Sequence, residues 1–191
     1  IDMDEKITPK EAVPIKLFLE NKNPLDLTDL KIKIQSDIPE FVKEANVNLP
    51  PLEKKTVEFT ITPNEFQQPK DYTLFFVFER NDQTVKVIDQ KIEIIPLIPE
   101  FDVNIVEDTV FLKTFKELTV SNNGNVLNTQ EVKVPVSFWE SLFVKEEVIS
   151  SEGENFLIWE VTLAPNESKV LNSITDYRWL FYVLILLVAF G

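Results

Sequence analysis

The sequence predicts an all-β chain, two tandem β-sandwiches followed by a C-terminal transmembrane α-helix. Three observations carry that prediction. Apolar and polar residues alternate in short runs, the order of those runs occurs twice, and the block from Trp179 to Gly191 holds no charge. The boundaries read as 1–96 for the first sandwich, 97–175 for the second and 176–191 for the start of the helix.

The alternation has a period of two. It runs through Leu17 and Leu19, through Leu30, Ile32 and Ile34, and through Val57, Phe59 and Ile61; it returns at Leu118 and Val120 and at Val132, Val134 and Val136. Such runs, broken by clusters of Asn, Pro and Asp, mark half-buried antiparallel strands. Laying "KLFLENKNPLDLTDLKIKI" on "ELTVSNNGNVLNTQEVKVPV" puts Asn21 on Asn122 and Ile32 on Val134, and "LPPLEKKTV" on "LAPNESKVL" puts Leu49 on Leu163. Two copies of one unit follow.

"NNGN" (Asn122 to Asn125) predicts a tight connection from residues that tolerate positive φ, and Pro50, Pro51 and Pro165 predict hairpin loops. Asp71 to Ile95 supplies the last two strands of the first copy. The second copy has no counterpart of Thr84 to Ile95, and its insertion, Val144 to Leu163, predicts a hairpin turning at Gly153. The join "IIPLIPEF" has two prolines and no glycine, which predicts a short stiff connector that sets the modules end to end.

Composition removes most chemistry. With no histidine and no cysteine, the chain has neither the commonest general base nor a thiolate nucleophile, and it lacks the usual zinc ligands. Three glycines, Gly124, Gly153 and Gly191, leave no glycine-rich phosphate loop. A net charge of −13 repels phosphate backbones, so no nucleic acid is expected as a partner. Neither catalysis nor a cofactor is expected.

The run "L-P-P-x-E-x-K-x-V-x-F" (Leu49 to Phe59), "D-Y-x-L" at Asp71, and the short Asn-led turns between V/L-x-V/L strands resemble the extracytoplasmic immunoglobulin-like modules of archaeal and bacterial surface proteins. These are the CARDB type and the related module appended to some α-galactosidases. The likeness covers Ile1 to Ile95 and Phe101 to Ile174, and departs in its low glycine content and at the end of the second copy. It implies an immunoglobulin-like sandwich serving as a spacer or adhesive unit, often repeated before a membrane anchor.

The closing block has two readings. "DYRWLFYV" (Asp176 to Val183) aligns with "DYTLFFVF" and could be a strand. A strand over Trp179 to Gly191 would run about 43 Å, beyond the usual ~20 Å, and would not alternate. A helix is expected instead, about 20 Å long against the ~30 Å of a bilayer core, as the start of a single-pass C-terminal anchor. Tyr177, Trp179 and Tyr182 stand where an interfacial aromatic belt belongs, which brings in the lipid bilayer as a partner. A chain opening at Ile1 fits a removed leader, and that fit together with the family resemblance places the sandwiches outside the cytoplasm.

Among candidate sites, Phe75 with Phe76 and Phe138 with Trp139 are adjacent aromatics in strand-like runs. Neighbours in a strand point to opposite faces, so one of each pair leaves its core; Phe76, Phe138 and Trp139 are the expected partner-binding residues. Asp26, Asp29 and Asp37, and Glu152 with Glu154, read as solvated loop charge, with a weak calcium site as the alternative. Lys54 and Lys55 read as ordinary surface. "NES" at Asn166 matches a glycosylation acceptor. The function expected is a structural or interaction module for a cell-envelope or membrane protein complex, self-association into a homo-oligomer included. A carbohydrate-binding or enzyme-accessory module is the alternative, and a hydrolase working with carboxylates alone is a third reading.

Overall fold

The computed structural model describes residues 1–190 and divides the chain into two compact units, Ile1–Leu97 and a second that starts at Ile98. The first unit contains β1 (Lys6–Ile7), β2 (Val13–Glu20), β3 (Leu27–Gln35), β4 (Lys43–Leu49), β5 (Lys54–Ile61), β6 (Asp71–Arg80) and β7 (Gln83–Ile94). One sheet has the order β1-β7-β6-β3-β4 and the other pairs β2 with β5. The N-terminal segment stitches the two together: Asp2 bridges Lys16 on β2, and Lys6–Ile7 then runs parallel to β7. That switch, with β2 and β5 facing the larger sheet, gives an immunoglobulin-like sandwich.

Alternation places the core. On β2, Val13, Ile15 and Leu17 are buried while Pro14, Lys16 and Phe18 are exposed. Ile15 and Phe59 are cross-strand partners, and they join Ile32, Ile34, Leu74, Phe76, Ile92 and Ile94 from the opposite sheet in one core of sixteen buried residues. Each such side chain contributes roughly 1.5–3 kcal/mol on burial. The β6–β7 hairpin turns on Asn81 and Asp82, both at positive φ (50° and 58°), where a short polar side chain tolerates the left-handed backbone.

The second unit contains β8 (Asp102–Val110), β9 (Lys113–Ser121), β10 (Asn128–Val136), α1 (Phe138–Ser141), β11 (Val148–Ser151), β12 (Glu154–Leu163), β13 (Ser168–Asp176) and α2 (Arg178–Phe190). Its sheets are β13-β9-β8 and β10-β12-β11. The duplication shows in the pairing: β9 pairs with β13 as β2 does with β5, and β10 pairs with β12 as β3 does with β4. Two buried asparagines mark the same corner. Asn21 Nδ2 donates to the carbonyls of Leu25, Leu49 and Pro50, and Asn122 Nδ2 to those of Val126 and Leu163.

Several expectations change here. Pro50, Pro51 and Pro165 do not close hairpins: β4 and β5, like β12 and β13, belong to different sheets, so these loops cross the sandwich. The "NNGN" turn needs no positive φ. Asn122 Oδ1 accepts the Gly124 N–H at 2.9 Å and shapes the bend with its side chain. The predicted hairpin is present, β11 and β12 joined through Glu152 (φ 52°) and Gly153 (φ 86°). Strands equivalent to β6 and β7 are absent from the second unit among the described residues.

The transmembrane prediction is overturned. Residues 178–190 are helical, as the missing alternation requires, but α2 has thirteen residues, and no helix among the described residues is long and apolar enough to cross a membrane. The single-pass C-terminal anchor, the aromatic belt and the membrane localisation built on them fall together. Tyr177 and Trp179 instead pack on Phe143, with ring centroids 5.1 and 5.9 Å away, and Phe181 meets Phe111 edge-on at 5.5 Å. Tyr182 is exposed. Asp176 accepts from the Arg178 backbone N–H (3.1 Å) and Nε (2.8 Å), which starts the helix. That guanidinium holds the Asp176 carboxyl down at about 2.

Candidate functional site

Where β10 ends, Ser137 caps α1 by accepting the Glu140 N–H on its hydroxyl at 3.1 Å. A four-residue helix replaces the strand end expected there, and its geometry turns both aromatics outward. Phe138 is 64% exposed and Trp139 67%, and their rings meet edge to face with centroids 5.7 Å apart. Beside them an open groove of about 680 Å³ lies between the end of β10, α1 and the β11–β12 turn, lined in part by Phe138, Ser150, Glu154 and Asn155. Both aromatics assigned to partner contact on this unit therefore reach solvent together.

Phe76 does not. It is fully buried at the centre of the first core, and its neighbour Phe75, 42% exposed on the outer face of β6, is the member of that pair that reaches solvent.

A polar cluster that the sequence reading missed lies on the inner face of the second unit. Lys116 is buried; its Nζ contacts Glu140 and lies 3.3 Å from Glu107 Oε1. Its cross-strand partner Ser173 donates to Glu146 Oε2 at 2.9 Å. Burial pulls the Lys116 ammonium down, and hydrogen bonds and charge from Glu140 and Glu107 outweigh it, so its pKa stands above the ordinary lysine value. The signal was present in the aligned copies, where Lys116 replaces Ile15, Ser173 replaces Phe59 and Thr175 replaces Ile61.

The remaining candidates stay apart. Asp26, Asp29 and Asp37 are exposed, Glu152 and Glu154 flank the Gly153 turn, and no group of three or more acidic side chains is arranged to hold a metal ion among the described residues. Lys54 and Lys55 are exposed on β5. Asn166 is exposed in the turn before β13 at φ 59°. No protein-family model matches the chain, and no curated protein matches it significantly.

Proposed function

We propose that the chain is a non-catalytic immunoglobulin-like interaction module that holds a partner protein through apolar side chains its second unit leaves uncovered. The carrying observation is the Phe138–Trp139 pair, two large aromatics side by side in water, the first of them lining a groove. Aromatic anchors beside a receiving pocket are what protein interfaces concentrate their binding energy on. The absence of histidine and cysteine supports the non-catalytic part. The likeness to CARDB-type spacer and adhesive modules rests on the motifs quoted above, and it points to a protein of a cell-envelope or membrane complex as the partner.

Alanine replacement of Phe138 and Trp139 tests this. Both are exposed, so the unfolding midpoint stays, while partner affinity falls roughly 30-fold or more, the scale of a hot-spot loss of about 2 kcal/mol. Full retention of the partner by the double variant would sink the proposal. The exposed indole of Trp139 also suits a sugar ring. Glycan-array binding that vanishes in Trp139→Ala would move the reading to a carbohydrate-binding module.

A further inference from the structure

Among the described residues, every sheet edge but one carries a feature that discourages another strand from adding to it. The open edge of β10 holds Lys133 and Pro135, and a proline brings no N–H to a ladder. β1 has two residues and β11 four, and the length of β7 that β1 leaves uncovered carries Lys86 and Lys91. β2 carries Pro14 and the Asp2 bridge; β4 and β5 carry exposed lysines. β13 has Lys169, and its far end is bridged by Val144.

β8 has no lysine, proline, bridge or short length of this kind; the charges it carries are all acidic, Glu107 on the core face and Asp102 and Asp108 on the outer one. It is nine residues long without lysine, arginine, proline or glycine, and it pairs with β9 from Asp102 to Val110 without a bulge. All nine residues are exposed, and five of them are β-branched. Val103 and Ile105 lie opposite Val120 and Leu118 and so share the core face, yet they stay 36% and 40% exposed. The facing sheet stops at β10, where the first unit continues to β6 and β7. On the outer face, Val106 and Phe115 line a shallow groove of about 500 Å³.

Charge selects the occupant. The ionisable side chains of β8 are Asp102, Glu107 and Asp108, all acidic, and only Glu107 has an ion-pair partner among the described residues. A second copy would bring two such sets of carboxylates together along one ladder, which is unfavourable. We infer that β8 accepts an added strand from a partner protein, an extended segment in which apolar residues alternate with lysine or arginine. Its main chain completes the ladder, its apolar side chains cover Val103 and Ile105 on the core face, and its cations face Asp102 and Asp108 on the outer one, while Glu107 stays with Lys116. This deepens the interaction-module reading and rests on it.

The probe is a nine-residue peptide of alternating valine and lysine, with a valine–glutamate peptide as control, added to the whole chain and followed by residue-resolved amide exchange. With the valine–lysine peptide, alternate amides of Asp102 to Val110 slow by about tenfold or more. The control does nothing, and the protection weakens as salt rises from about 0.05 to about 0.5 M. Val106→Lys, a change on the exposed outer face, weakens binding about tenfold, and so does Asp102→Asn with Asp108→Asn. Absent protection on β8, equal protection by the control, protection on another edge, or concentration-dependent protection without peptide each overturns the assignment. If β8 stays unprotected while Phe138→Ala/Trp139→Ala still loses the partner, only the β8 assignment fails; a partner kept by that aromatic variant removes the broader reading instead.

Discussion

In the first unit the cross-strand pair Ile15–Phe59 belongs to a core that also takes Leu74, Phe76, Ile92 and Ile94 from β6 and β7. At the same place in the second unit Lys116 faces Ser173, and the two are held by Glu107, Glu140 and Glu146. Apolar packing survives there in two smaller clusters of five and four buried residues. A sandwich without two of its strands has thus made part of its inner face polar: Lys116 and Ser173 find partners in α1 and the segment after it, and Val103 and Ile105 at the β8 edge are what stays apolar and uncovered. A buried charge is tolerable only when paired, so this half of the unit depends on geometry more than on area.

That contrast can be broken most severely from the apolar side. Phe76→Ala is expected to cost the first unit about 3–5 kcal/mol, as a large cavity among fully buried neighbours does. All three tryptophans, Trp139, Trp159 and Trp179, lie in the second unit, so their fluorescence midpoint in urea should stay while the circular-dichroism transition of the first unit moves. A fluorescence midpoint that shifts equally would show that the units do not unfold independently.

On the polar side, Lys116→Ala leaves Glu140 unpaired and is expected to cost about 2–3 kcal/mol, less than the ~3–5 of a fully buried pair because Glu107 is half exposed. Lys116→Met with Glu140→Gln should recover most of it. Because the Lys116 pKa is raised by folding, its contribution is present at neutral pH and is lost as pH climbs through the folded-state value. Alkaline titration of the fluorescence midpoint in wild type and Lys116→Met reads this directly.

The corner asparagines test what the units share. Asn21→Ala and Asn122→Ala each orphan buried carbonyls and should cost about 1–3 kcal/mol, by similar amounts. Gly153→Ala meets no atom within 4 Å, so only the positive φ resists it, at about 1 kcal/mol in the second unit. The smallest effect belongs to Asp176. Its pKa is depressed to about 2, so whatever it adds to the docking of α2 is present above the ordinary carboxylate range and fades as pH falls toward 2. Trp179 fluorescence should report that loosening in wild type and not in Asp176→Asn.

Much of the architecture could be read from particular residues. The alternation through Ile32 and Ile34 and its echo at Val134 and Val136 gave strands and faces, and the Asn21/Asn122 match located the shared corner. In "FFV", by contrast, three apolar residues in a row carry no phase, and Phe76, expected at a partner surface, is the buried member of its pair while Phe75 faces solvent. α1 was missed because four residues hold no helical period, although "SFWE" from Ser137 to Glu140 has the Ser-x-x-Glu spacing of a helix start. The β8 edge carried no local mark at all, since an open edge is the absence of a neighbour.

Sequence alone determined which side chains face inward, that one unit is written twice, and that histidine and thiol chemistry are excluded. These are covalent matters, set by residue identity and by the two-residue repeat of an extended backbone. Only the tertiary structure decided that the proline loops cross between sheets, that Lys116 is buried among carboxylates, that Tyr177 and Trp179 pack on Phe143, and that β8 is left with an open side. Those outcomes depend on contacts between residues far apart in the chain, which a local pattern orients but does not pair.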